Sequence, residues 1–375
     1  MITIREVKSK KDIKKFILGP STIYRNDPCF VPPILPEMMD FFNPSKNPFY
    51  KKGKVHLLLA EKDGIFSGRI SVQTNSAHDR KYGSGTGFFG FVDFVDDPEV
   101  SASLFSEGEK ILRGYGITKI MGPFNFDINN ECGLLIEGFD TPPSLMMIHN
   151  PPYYASHLEK LGYKKEKDLL AWNYRVSDVP DIAKAAAEEQ KKIPGLVIRE
   201  VDVSNLERDI KIVTDIYNDA WADNWGSLPI DEEESKLIAK QIKPILRKEL
   251  ILIAEYKGEP IAVSFAAPNI NEALRSMKKC NNIVDLLRLM WQLKMHPPKT
   301  ARLLILGIKK AFRGGDMKFL SVLMYVEMNE RAKSIGIEGG ELSWTLEDNF
   351  KINRGIELMG GKVYKKYRIY GKSLD

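Results

Sequence analysis

Cysteine is scarce in this chain of 375 residues. Cys29, Cys132 and Cys280 are odd in number, far apart, and form no Cys-x-x-Cys pair. That excludes a disulfide scaffold and a thiolate metal centre, and it points to a reducing compartment. Histidine is also sparse: His56, His78, His149, His157 and His296 show no metal-ligand spacing, so no metal site is expected. No apolar run approaches the ~20 residues that a spanning helix needs; stretches such as 55–60 and 303–308 are far shorter. The start, Met1-Ile-Thr-Ile-Arg-Glu-Val, lacks the basic and long apolar regions of a secretory signal. A cytoplasmic protein without a membrane partner is the expectation. Charge of one sign is lacking too: 55 Lys and Arg face 50 Asp and Glu, a net +5, with no basic stripe or tail. Nucleic acid is therefore disfavoured as the main partner, while a local basic patch for small-molecule phosphates is not.

What is present is ordinary globular composition, 43% hydrophobic and 28% charged, enough for two packed domains. The pattern predicts a strand over 3–7 and a helix from the Ser9-x-x-Asp12 capping box to about Leu18. A proline-rich stretch and a short helix at 37–42 follow. Strand-type runs at 55–61 and 65–74 flank Lys62-Asp63-Gly64, a hairpin signal. A strand at 87–95, a helix at 101–115, a strand at 119–126, a helix at 155–161 and a strand at 169–176 complete the first half. A helix over 181–192 leads to Pro194-Gly195.

The same order then recurs. A strand at 197–201 precedes helices at 205–221, with Ser204 as its cap, and at 231–246. A second hairpin, 250–256 and 260–267, turns at Lys257-Gly258-Glu259. An insertion of 34 residues separates Ala267 from Arg302. It carries an amphipathic helix with Ile283, Leu286, Leu287, Met290 and Leu293 on one face. A strand at 302–308, a helix at 317–334, a strand at 341–345, a helix at 350–358 and a strand at 362–370 end the chain. The expected domains are therefore 1–180 and 195–375, with 181–194 as a linker helix. The expected fold is α/β, an α+β arrangement of mixed sheets, made of two tandem copies.

The densest polar and aromatic cluster lies in the first half. Asn125, Asp127, Asn129, Asn130 and Glu131 follow a strand, and His149, Asn150, Tyr153 and Tyr154 come soon after. Loops held by a scaffold favour binding, so Asn125, Asn130, Glu131, His149 and Tyr153 are candidate substrate contacts. Glu131 or His149 has the chemistry of a general base. The same residues equally suit turns and packing beneath the proline-rich stretch.

The order of elements resembles the GCN5-related N-acetyltransferase (GNAT) family, most closely from Arg302 to Tyr370. Arg313-Gly314-Gly315 starts like the family's pyrophosphate loop, but Asp316 and Met317 depart from it. Ile356-Glu-Leu-Met-Gly-Gly falls where many members have a tyrosine first, so Ile356 replaces the usual general acid. Gly68-Arg69-Ile70, Gly122-Pro123-Phe124-Asn125-Phe126 and Gly138-Phe139-Asp140-Thr-Pro-Pro resemble a bacterial group of tandem GNAT-like proteins. The resemblance implies a transferase using acetyl-CoA or another acyl-CoA, most simply for acetyl transfer to a small-molecule or peptide amine. It implies that Leu306, Gly307, Ile308, Arg313, Gly314, Gly315, Met317 and Asn349 contact the cofactor, with an oxyanion-binding N–H near 306–308. It also implies that Trp221 and Trp225 line the acceptor site and that Glu347 or Glu341 serves as base.

A glycine-rich turn into a helix offers free N–H groups and a positive dipole end to a diphosphate, with Lys309, Lys310 and Lys318 adding charge. The same residues also suit a plain strand-to-helix turn capped by Asp316. The first half has Phe94-Val-Asp-Asp-Pro-Glu at that place, which repels a diphosphate; it reads as a degenerate copy serving as acceptor platform. Two further readings stay open. One is a non-catalytic ligand-binding protein on this fold. The other is an aminoacyl-tRNA-dependent transferase, whose binding would weaken with salt.

Overall fold

The computed structural model describes residues 1–374. In chain order it runs β1 (Ile2–Glu6), α1 (Lys10–Leu18), α2 (Leu35–Phe41), α3 (Phe49–Lys52), β2 (Val55–Lys62), β3 (Ile65–Gln73), α4 (Ser76–Tyr82), β4 (Thr86–Phe94), α5 (Pro98–Gly114), β5 (Lys119–Gly122), β6 (Leu134–Glu137), α6 (Tyr153–Lys160) and β7 (Lys164–Arg175). It continues with α7 (Asp181–Lys191), β8 (Leu196–Glu200), α8 (Leu206–Ala220), α9 (Glu232–Ile242), β9 (Ile251–Tyr256), β10 (Glu259–Pro268), α10 (Asn271–Met277), α11 (Ile283–Met295), β11 (Thr300–Ile308), α12 (Leu320–Ser334), β12 (Gly339–Leu346), α13 (Phe350–Leu358) and β13 (Lys362–Ser373). No described helix is long and apolar enough to cross a membrane.

Two compact units form, and a single cut in the chain does not separate them. The first holds Met1–Leu169, Asn271–Pro297 and Lys365–Asp375; the second holds Leu170–Ile270 and Pro298–Tyr364. The division thus differs from 1–180 and 195–375 in three ways. The chain changes unit within β7, it returns within β13, and the insertion joins the first unit. The helix expected as a linker, α7, is part of the second unit and packs on α12.

In the first unit the strand order is β1-β2-β3-β4-β5-β13. β1 to β4 form an antiparallel meander; β4 and β5 are parallel at Thr86–Phe88. The capping box is present: Ser9 and Asp12 each accept from the other's backbone N–H. On one face of the sheet, Leu58, Val72 and Phe89 pack against Leu104 and Phe105 of α5 and Tyr154 of α6. The other buries an aromatic cluster, with Phe126 stacked on Phe41 and Phe49, each at 4.9 Å. Strand pairing expected to run to 126 stops at Gly122, because Pro123 has no N–H for the ladder. Strand β6, which pairs with β13, and helices α3 and α4 are additional elements. The insertion is tied down locally. Leu35 N–H donates to Cys280 O at 2.8 Å, and the Asn271 amide donates to the carbonyls of Pro143 and Ser144.

In the second unit the order is β7-β12-β11-β10-β9-β8. β8 to β11 repeat the antiparallel meander and β11 pairs β12 in parallel. Both units therefore follow β-α-α-β-β-β-α-β, as the sequence order predicts. Helix α12 buries residues around its circumference, among them Leu320, Leu323, Met324, Val326 and Met328, because it is covered by the sheet and by α7. It starts at Leu320, not Met317, since a short 3-10 turn at Gly315–Met317 precedes it. Ser204 does not cap α8: the N-cap position is Asn205, with no side-chain hydrogen bond, and Asp202 caps the preceding 3-10 turn by accepting from Ser204 N–H.

Candidate active site

The site is a parting of two parallel strands in the second unit. β11 and β12 pair only from Thr300↔Gly339 to Leu303↔Leu342. On its other side β11 stays paired with β10 up to Ile308. Ala266 faces Leu303 while Phe265 faces Ile305, so Leu304 is an extra residue, a β-bulge. From that residue the burial of β11 changes, from buried at 301–303 to half-exposed at 304–306. The half-exposed apolar side chains of Leu304, Ile305 and Leu306 border the opening where the pairing of β11 with β12 ends. Every second N–H along 304–308 points away from β10 and toward it. The parting thus lies upstream of the 306–308 N–H groups implied by resemblance. Leu306, Gly307 and Ile308 lie on the splayed length and pair with Ser264, Val263 and Ala262.

Beyond β11 the loop 309–319 leads into α12. Gly314 and Gly315 take positive φ, 111° and 52°, and a Cβ on either would meet open space. The N–H groups of Gly314, Gly315 and Asp316 make no hydrogen bond among the described residues. Three adjoining free donors near a helix start suit an anion. Met317 differs from the expectation. Its N–H donates to Gly314 O, and its side chain is buried. Arg313 also has another task. It donates to Ile308 O at 3.0 Å and Ala220 O at 2.7 Å, fastening the loop to the end of α8. Lys309 and Lys310 pair with Glu259 and Asp223, leaving exposed Lys318 as the nearer cation.

Sequence reasoning missed Gln190 of α7. Nearly fully buried, its amide accepts from Phe319 N–H at 3.1 Å and donates to Asp316 O at 3.0 Å. It braces the entry of α12. The signal was its place on the Ala183–Ala187 face of the helix, at i+7 and i+3.

Trp221 ends α8, stacks on Tyr217 at 4.9 Å, and lies over Gly307, where a Cβ would sit 2.4 Å from its ring. Trp221 thus borders the splayed length of β11, and Trp225, four residues on, is half-exposed. Glu341, expected as a candidate base, is a buried carboxylate with partners of its own. It accepts from the Ser343 and Tyr364 hydroxyls and lies 3.5 Å from Arg302; Ser343 and Arg302 are buried and Tyr364 is half-buried. Glu347, just past β12, is half-exposed. Asn349 caps α13 by accepting from Ile352 N–H with its Oδ1. The asparagine that faces the end of β12 is Asn353. It donates to Leu346 O at 3.0 Å, and its buried Oδ1 has no partner among the described residues. Ile356 is core.

The corresponding place in the first unit is closed. Gly90 of β4 lies so near Phe124 that a Cβ would overlap its carbonyl. Asn125 accepts from Phe91 N–H at 2.7 Å, and Gln73 donates to the Phe124 and Phe126 carbonyls. α5 starts with Asp97 as N-cap and Pro98, which lacks an N–H. The polar cluster is largely engaged internally. Asn125 donates to Glu131 at 2.7 Å, and Asn130 to Asp127 at 2.9 Å. Tyr153 donates to Phe94 O at 2.6 Å. His149 Nε2 lies 2.7 Å from Asp27, while its buried Nδ1 has no partner among the described residues. Burial, then the Asp93 carboxylate, raises the Tyr154 phenol well above its usual range. These residues form a scaffold around the end of β4 rather than an open pocket of free groups.

No family model matches the chain. It is 36% identical over 379 residues to Protein YghO of Escherichia coli (strain K12), covering 99% of this chain and 95% of that protein. It is 36% identical over 377 residues to the bacterial ceramide synthase of Caulobacter vibrioides, covering 100% and 98%. Among solved structures, a tandem GNAT protein from the clavulanic acid biosynthesis pathway superposes with a TM-score of 0.59 at 11% identity, covering 100% of this chain and 99% of that one. The chain belongs to the family of these two bacterial proteins, and that family has the tandem GNAT fold.

Proposed function

We propose that the chain is an acyl-CoA-dependent N-acyltransferase whose second unit holds the acyl-CoA and whose acceptor is the amine of a long-chain amino alcohol. The observation that carries the reading is the parting of β11 from β12 beyond Leu303. It opens an apolar slot that ends on the free N–H groups of Gly314, Gly315 and Asp316. A thioester arm fits the slot and a diphosphate fits the loop. The acceptor class rests on the relative named for ceramide synthesis, since a ceramide is an N-acylated long-chain base.

In this mechanism the acceptor nitrogen attacks the thioester carbonyl. The C–N bond forms, and the C–S bond breaks with its electron pair going to CoA sulfur. A β11 N–H in the 304–306 stretch holds the developing oxyanion. Glu347, or water beside it, takes the proton from the amine. Ile356 offers no acid, so the thiolate takes its proton from solvent. Asn353 anchors the wall of the slot at Leu346, with one acceptor left over.

Titration with acyl-CoAs from acetyl to palmitoyl, followed by an acyl-transfer assay with sphinganine, tests the reading. Gly315→Asp suits the positive φ yet places a carboxylate against the diphosphate. It should weaken acyl-CoA binding about tenfold to a hundredfold, while leaving binding of the matching acyl-pantetheine, which lacks the diphosphate, unchanged. Folded protein that binds no acyl-CoA of any length would overturn the proposal. Equal binding by the variant would overturn the loop assignment.

A further inference from the structure

Helix α11 is apolar almost all round, yet only Leu289 is fully buried. Leu286 and Leu293 turn inward beside it. The face expected from periodicity to pack inward is therefore split. Ile283, Leu287 and Met290 turn outward and join Val284, Trp291 and Met295, all between 44% and 69% exposed. A helix with an apolar outer stripe normally has something covering it. The stripe is not loose: Gln292 binds Ser276 at 2.6 Å, Asn282 caps the helix, and the preceding Cys280 carbonyl is held by Leu35.

Its surroundings identify the occupant. Lys278 and Lys279 precede the helix, Arg288 borders the stripe, and Lys294 lies within it, all exposed. None forms an ion pair among the described residues. The helix's one acid, Asp285, is spent at its N-terminus, where it accepts from Asn281 N–H. From residue 271 to 299 there are six Lys and Arg against Glu272 and Asp285. A second copy of this face would set like charges together, which disfavours self-association. Apolar side chains, an exposed tryptophan and free cations on one helix face are what a negatively charged lipid surface takes up.

We infer that α11 docks the protein on an anionic phospholipid bilayer, lying in the plane of the interface with Ile283, Leu287 and Trp291 inserted. Such a helix lies on the membrane and does not cross it, in keeping with its length. The inference stands apart from acyl transfer, because it concerns association alone.

The test is co-sedimentation of the full chain with vesicles, either phosphatidylcholine alone or phosphatidylcholine mixed with phosphatidylglycerol. The mixed vesicles should bind the protein at least about tenfold better, and added salt should weaken that binding. Leu287→Ser with Trp291→Ser should cut binding to the mixed vesicles at least about tenfold with no change in acyl-CoA affinity or melting temperature. Lys278→Glu with Lys279→Glu should erase the preference for the anionic lipid. Bromolipid quenching should reach a tryptophan in the native chain and not in Trp291→Phe. Absence of sedimentation with either vesicle overturns the proposal. So does unchanged binding by the serine variant, or a dimer in solution that the serine variant abolishes.

Discussion

Replacing Glu341 by alanine separates two readings of one residue. In the structure its carboxylate is 2% exposed and is the acceptor for Ser343 and Tyr364, with the Arg302 guanidinium, 6% exposed, 3.5 Å away. An exposed ion pair at that distance would be worth at most about 1 kcal/mol. This pair is interior, and the alanine variant removes the carboxylate that faces Arg302 and accepts from both hydroxyls. Breaking one side of a buried pair costs about 3–5 kcal/mol. For a unit of this size, each kcal/mol lowers the melting temperature by roughly 2–4 °C, so a fall of about 6–20 °C is expected. Thermal and urea unfolding of the purified chain measure it. The double variant Glu341→Leu with Arg302→Met removes both charges and should recover most of the loss. A Glu341→Ala protein that melts with the native one but no longer transfers acyl groups would refute this reasoning and restore the acid to the chemistry.

Two other predictions concern local packing and pH. Gly307→Ala puts a methyl 2.4 Å from the Trp221 ring; it should cost about 1–3 kcal/mol and shift tryptophan emission as that ring moves. An unchanged spectrum and stability would show that Trp221 does not rest on β11. Asp12, bound first by the Ser9 hydroxyl and then by Arg5, is lowered to about 2, against an ordinary aspartate near 3.9. A lowered carboxyl contributes stability that is whole above about pH 5 and drains as pH falls through 4 toward 2. The denaturant midpoint of native protein should therefore exceed that of Asp12→Asn at pH 5 and above, and the gap should close by about pH 2. A gap that does not depend on pH would contradict the assignment.

Legibility in the sequence followed the range of the interaction. The turns at Asp63-Gly64 and Lys257-Gly258 were plain because two adjoining left-handed residues are a local requirement, and all four have positive φ. The Ser9-x-x-Asp12 cap and the twofold recurrence of elements were legible for the same reason. The free loop at Gly314-Gly315 could be named, though not the task of Arg313. Its acceptors are the carbonyls of Ile308, five residues away, and of Ala220, on another element.

The sequence by itself determined the elements, their order and their repetition, because capping, turn formation and periodicity act over a few residues. The acidic 94–99 stretch already set the first copy apart in the sequence, but tertiary structure decided how the two copies differ. Asn125 and Gln73 close the slot in the first unit, whereas β11 and β12 part in the second. It also decided that Glu341 is interior, that Asn353 rather than Asn349 meets the end of β12, and that half of the apolar surface of α11 stays outside. Periodicity tells a side chain to seek an apolar neighbour, but which element supplies that neighbour depends on contacts tens to hundreds of residues away in the chain.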